Sequence, residues 1–346
     1  MFRRTATAVV AVTASAGLLV GCGGGSSGGG STPAANNAGA APAAELSSAI
    51  TSLGQASTLT ASLKLDATGS ELLDFVHSQD PKADLTSSQA GLIAGAALTF
   101  EVAAPKGKTL NELSGLSNSG AVNIAVSDNG KDFFAIRFVG QTLYLQADLK
   151  DFLNAIGQEE AFRQIQSGGG QLPGFVQALV QGKWVSLPLS TLKSLTGALG
   201  GGIGSPKPSE ANHLVDQLKA LLTKDVTVTR SSSGGTDTLT LTTNLRSFAA
   251  DITTAFKSVP GAGAALDSTD LSAVPDKDIS MVATVTDGAL STLSFDLGQL
   301  ADKGGSSLPL QLAFTRSGPA ITPPSGAVAV DLQQLGGLIG AFGGGF

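Results

Sequence analysis

The side chains whose types and spacing could do chemistry are two histidines, one cysteine and a few paired carboxylates. A helical zinc site wants two histidines at helical spacing, and neither His77 nor His213 has such a partner. Glu210 and His213 form one Glu-x-x-His, whereas a di-iron bundle needs that motif twice with further glutamates. Gly204-Ser205 lacks the Gly-x-Ser-x-Gly elbow that exposes a nucleophilic serine. Glu159-Glu160 reads as a solvated face, as does Asp276 with Asp278. A glycosidase-like pair is defined by distance in space rather than in sequence, so an anchored hydrolase stays open as a third reading. The acidic residues are scattered and do not alternate as calcium-loop ligands do. The expectation is a chain with no catalytic residue, no metal site and no cofactor.

Cys22 stands apart from that group. It ends an apolar run, Ala6 to Val20, that follows Arg3 and Arg4. A basic start, an apolar stretch of roughly 7–15 residues and small residues before a cut form a secretory signal. The run is too short to span a bilayer, which needs about 20 apolar residues. Leu19-Val20-Gly21-Cys22 resembles a bacterial lipobox. That resemblance implies a thioether-linked diacylglycerol on the Cys22 thiol, cleavage before Cys22 and acylation of the new amino group. Residues 1–21 then form the signal peptide, and the mature chain sits lipid-anchored on the extracytoplasmic face of the cell membrane. The alternative is an ordinary exported protein with a cysteine at its cleavage site. Arg3-Arg4 hints at export in the folded state, but Thr5-Ala6 matches that signal poorly, so general secretion is assumed.

Charge and composition narrow the partners. The chain has 21 basic and 27 acidic residues. Without Arg3 and Arg4 the balance is 19 against 27, about −8, with no Lys/Arg cluster, which argues against nucleic acid. Hydrophobic residues make up 42% but aromatic ones only 5%, so the core must be built from Leu, Val, Ile and Ala. With Cys22 lipidated, no cysteine remains for a disulfide.

The elements that would follow can be read from periodicity. Residues 22–44 carry the cysteine and a Gly/Ser/Pro/Asn tether, a flexible coil with a reach of about 25 Å. Residues 45–346 read as a single domain, opening with a helix at Glu45–Gln55. Thr58–Asp66 alternates apolar and polar residues, the mark of a strand with one buried face. The pattern returns at Leu98–Val102, Val122–Val126, Phe134–Phe138 and Leu143–Leu145. Asp128-Asn129-Gly130-Lys131 and Gly140-Gln141 read as hairpin turns, giving a three-stranded meander. Helices are expected at Ser70–His77, Leu149–Ile156, Glu159–Gln166, Phe175–Gln181, Ser190–Leu199, Glu210–Leu222 and Phe248–Val259. Further strands are expected at Gly182–Leu187, Val226–Arg230, Thr238–Thr242, Ile279–Thr286, Leu290–Leu297 and Leu308–Thr315. A last helix, weakened by glycine, is expected at Val330–Phe342. A sheet of about eleven such strands must twist and curl, and helices covering part of it can leave an apolar hollow.

The order of lipobox, tether, helix, strand and meander carries a family resemblance. Its local features are Gly140-Gln141-Thr142-Leu143-Tyr144-Leu145 and Gly182-Lys183-Trp184-Val185, followed by hairpins and a tail with Pro323-Pro324. Over roughly Glu45–Val330 the chain resembles actinobacterial lipoproteins of the LppX/LprAFG type, relatives in shape of the LolA/LolB carriers. The resemblance implies an α+β fold in which a large, curved antiparallel sheet forms a half-barrel with helices on its concave face. It also implies a lipid or lipoglycan ligand, held by its acyl chains and moved or presented at the envelope. The inward-facing candidates for lining such a site are Leu63, Leu65, Leu98, Phe100, Phe134, Ile136, Phe138, Leu143, Leu310, Leu312 and Phe314. The competing expectation is a structural or sensory envelope lipoprotein with a packed core and an unidentified protein partner.

Overall fold

The computed structural model describes residues 41–113, 120–168, 173–191, 226–257, 274–301 and 306–330. The expected helices Ser190–Leu199, Glu210–Leu222 and Val330–Phe342 fall wholly or largely outside these, as do the signal sequence and most of the tether.

The described residues form an α+β fold around one twelve-stranded sheet. Helix α1 (Pro42–Leu53) leads into β1 (Thr58–Leu65), and the helices α2 (Gly69–Gln79) and α3 (Ser87–Gly95) precede β2 (Ala96–Ala103). The meander β3 (Ala121–Asp128), β4 (Lys131–Val139) and β5 (Thr142–Ala147) follows. Next come α4 (Leu149–Ala155), α5 (Glu159–Gly168), α6 (Gly174–Val180) and β6 (Val185–Pro188). The second half holds β7 (Thr227–Ser233), β8 (Thr236–Asn244), α7 (Leu245–Lys257), β9 (Asp278–Thr286), β10 (Ala289–Asp296), β11 (Pro309–Thr315) and β12 (Val328–Ala329). The strand order is β12-β6-β5-β4-β3-β2-β1-β11-β10-β9-β8-β7. Every pairing is antiparallel except that of β12 with β6.

Local chemistry explains the boundaries. Helix α1 opens at Pro42, inside the stretch read as tether, because a proline in the first turn loses no helical hydrogen bond. Thr68 and Glu71 form a capping box at the start of α2, and Thr86 with Gln89 forms another at α3. The two helices meet where a Cβ on Gly69 would stand 2.7 Å from the Gly91 backbone, so this contact requires glycine. The β3–β4 turn places Asn129 at φ 50° and Gly130 at φ 80°, and the β9–β10 turn places Asp287 at 51° and Gly288 at 69°. Both are the positive-φ pairs that suit the twist of a tight hairpin.

Alternation puts one apolar row after another on a single face. Phe314, Ala61, Phe100, Ile124, Ile136, Leu145 and Val185 stand in register across β11, β1, β2, β3, β4, β5 and β6. Helix α1 lies on this face over β7, β9 and β10, burying Leu46, Ala49 and Leu53 with Leu239, Leu241, Val285 and Leu290. Its two leucines are worth about 1.5–3 kcal/mol each.

Candidate binding site

The apolar face divides into a sealed half and an open half. Under α1 the sheet side chains are buried, Leu239 and Leu241 nearly completely. Across β2, β3 and β4, Leu98 is 40% exposed, Val126 37% and Ile136 45%. Leu98 pairs with Val126, and Val126 pairs with Phe134, next to Ile136 on the same face of β4. The three therefore form one contiguous apolar patch.

Helices border this patch. Phe152 of α4 packs edge-on against Phe134, with ring centroids 5.0 Å apart, and against Phe133 at 5.9 Å. Phe133 is the extra residue of a β-bulge where the β3–β4 register shifts, which lets two successive phenylalanines reach one helix. Helix α6 seats Phe175 and Ala178 against Leu145 and Val185. Helix α3 lies beside β1, and its Ile93 is another large exposed apolar side chain.

The eleven sequence-selected lining residues separate along this division. Leu312 and Phe314 are buried in the core under α1, so they support the fold rather than an open site. Leu63, Phe100 and Phe138 are half-buried against the same core, and Leu65 joins the cluster of α2 and α3. Leu143 and Leu310 are half-buried, and Phe134 is half-buried beneath Phe152. Leu98 and Ile136 face solvent. Val126 belongs with them and is absent from the sequence selection, although its alternation with Val122 and Ile124 signals the same face. Leu19, Val20, Gly21 and Cys22 lie outside the described residues. Fully burying an aliphatic side chain is worth about 1.5–3 kcal/mol, so covering the exposed parts of three gives only about 2–4 kcal/mol. A ligand bound well here must also draw on the half-buried Phe100, Ile124 and Phe138.

Two clefts adjoin the helices. One, of about 600 Å³, is lined by Lys131, Asp148, Lys150, Asp151 and Phe162. Lys131 pairs with Asp148 at 3.3 Å and also with Asp151, so its charge is already answered. The other, of about 460 Å³, lies between α2 and α3 beside Leu72, Val76, Leu85 and Ile93.

The opposite face is polar and is crossed by a strap. Residues 316–327 carry the chain from β11 to β12 at the far edge. Gly318 N–H donates to Thr58 Oγ1 at 3.1 Å, and Arg137 Nη1 donates to the Thr322 carbonyl at 3.0 Å. Arg137 Nε also donates to Asn123 Oδ1 at 3.2 Å, and Asn123 Nδ2 donates to Glu101 Oε2 at 2.8 Å. The Arg137 guanidinium lies 4.9 Å over the Trp184 ring. At the head of β4, burial and then the like charge of Glu101 push the Asp132 carboxyl up, with Arg137 opposing. Tyr144 shares the Arg137 row, so both sequence-marked aromatics, Tyr144 and Trp184, sit away from the apolar patch. Among the described residues, no three of His, Cys, Asp and Glu gather as metal ligands would.

No protein-family model matches the chain, and no curated protein matches its sequence. Similar solved structures include the lipoprotein LppX of Mycobacterium tuberculosis, at 11% identity and a TM-score of 0.30, covering 83% of this chain and all of that one. LprF of Mycobacterium bovis is similar at 10% identity and a TM-score of 0.31, covering 82% of this chain and 97% of that one.

Proposed function

We propose that this chain is a lipoprotein, anchored through Cys22, whose open apolar face binds the acyl chains of an amphiphile for transport or presentation at the cell envelope. The observation that carries the reading is the patch of Leu98, Val126 and Ile136. It continues the apolar rows that α1 seals elsewhere, and among the described residues helices border it while its three side chains stay 37–45% exposed. Exposed apolar surface costs free energy in water, and large contiguous patches of it mark interaction sites and ligand grooves. Transfer of an acyl chain onto the patch needs no covalent step.

The test uses the full chain purified from a bacterial host. Organic extraction is expected to release lipid, and a dansylated fatty acid is expected to bind and be displaced by that lipid. Ile136→Asp should weaken probe binding about tenfold by placing a charge on the floor of the site. A lipid-free extract with no probe binding would overturn the reading in favour of a packed scaffold that binds a protein partner.

A further inference from the structure

The larger of the two clefts begins where the apolar rows of the patch run out. Lys131 stands opposite Asp128, which lies two residues beyond Val126 on β3, so both belong to the patch face of the sheet. Along β4 that face passes from Ile136 through Phe134 to Lys131, from apolar to charged. Five residues separate Ile136 from Lys131, one of them in the bulge, which is about 15 Å of strand. Helix α4 joins the two regions. Its Phe152 packs on Phe134 at the border of the patch, while its Lys150 and Asp151 line the cleft. Asp148 lines the cleft as well, and its backbone N–H donates to the Phe133 carbonyl at 2.7 Å. Gln166 of α5 and Gln181, just after α6, add two amides to the wall, and Phe162 adds one apolar surface.

We propose that this cleft holds the head of the amphiphile whose chain lies on the patch, and that this head is uncharged and rich in hydroxyls, as a glycosyl group is. The proposal rests on the amphiphile reading above. The volume of about 600 Å³ is that of an ordinary small-molecule site. Charge selects the head. Lys131 and Lys150 balance Asp148 and Asp151, and Lys131 is already tied to both carboxylates. An anionic head would meet two aspartates and a cationic head two lysines, and such contacts are costly once water is displaced. A hydroxyl both donates and accepts. It takes a hydrogen bond from Lys150 or a glutamine N–H and gives one to a carboxylate or an amide oxygen. Phe162 suits the C–H face of a sugar ring, which is apolar.

The experiment loads the full chain with dansylated fatty acid and displaces it with three amphiphiles that share a dodecyl chain, each below its micelle concentration: dodecyl maltoside, dodecylphosphocholine and dodecyl phosphate. The maltoside is expected to displace the probe at a concentration at least about fivefold below the other two, the effect of a few added hydrogen bonds. Gln166→Ala combined with Gln181→Ala, both exposed positions, should remove most of that margin and leave displacement by dodecylphosphocholine unchanged. Equal displacement by all three, or a preference for either charged head, would overturn the head site and leave the chain-binding reading standing. A maltoside margin that survives in the double variant would overturn the placement in this cleft. Displacement by none of the three would defeat the amphiphile reading, and the head site with it.

Discussion

Ile136 and Phe314 stand on one cross-strand row and one face of the sheet, four strands apart, yet Phe314 is 7% exposed and Ile136 45%. The same alternation produced both positions. What separates them is α1, which lies over the sheet half that contains β9 and β10 and, among the described residues, does not reach Leu98, Val126 or Ile136.

This difference sets the cost of truncation. Phe314→Ala leaves a cavity in a closed core and should lower stability by about 3–5 kcal/mol. Ile136→Ala removes a side chain already half in water and should cost about 1 kcal/mol or less. Urea denaturation of the two variants checks this, and comparable losses would show that the β4 end of the row is as tightly packed as the β11 end.

Glu45 in the first turn of α1 is 2% exposed and pairs with Arg230 of β7 at 3.1 Å, while its Oε1 is buried without a hydrogen bond. Removing one partner of a buried pair strands the other charge, so Arg230→Met should destabilise by about 3 kcal/mol. Replacing both, in Glu45→Leu with Arg230→Met, should recover most of that loss. A double-mutant cycle by chemical denaturation measures it, and a double variant as unstable as the sum of the singles would show that the residues do not act as a pair.

The strands and most helices were legible because each half-wet strand repeats with period two and each hairpin carries its turn residues. Asp128-Asn129-Gly130-Lys131 and Asp287-Gly288 specified two hairpins outright. Helix α3 is not legible from periodicity because Ser87–Gly95 has no apolar stripe; its signal is the Thr86/Gln89 capping box. Strand β12 is not legible because two residues carry no period, and its place is set by a strap held from another part of the chain. The site was legible only as a face. Leu98 and Leu312 read alike in sequence, and which of them lies under a helix depends on where α1 comes to rest.

The capping box of α2 gives a pH dependence with a definite sign. The Thr68 backbone N–H and then its hydroxyl donate to Glu71, at 2.7 and 2.8 Å, and hold the Glu71 carboxyl below its ordinary 4.5. A carboxyl depressed in the folded state contributes stability above its unfolded pKa and loses it as pH falls through the folded value. Glu71→Gln should therefore be less stable than the parent near neutrality, and the gap should close below pH 4. Thermal melts across that range decide the point, and a gap independent of pH would remove the carboxylate's role.

Arg137 is the residue through which the strap is tied to the sheet. Its planar fork serves Asn123 and Thr322 at once while its face lies on Trp184, a combination that lysine, with its point charge, cannot reproduce. Arg137→Lys should therefore leave the sheet intact but free the strap. Losing one charged hydrogen bond costs about 1.5 kcal/mol or more, which is about tenfold in local opening. Arg316 is exposed at the start of the strap and offers a trypsin site, while Lys106, exposed in the β2–β3 connection, offers a control. Cleavage after Arg316 should accelerate about tenfold with cleavage after Lys106 unchanged. Equal acceleration at both would mean that the substitution loosens the whole sheet. No acceleration would mean that Gly318 and the β12–β6 pairing hold the strap without Arg137.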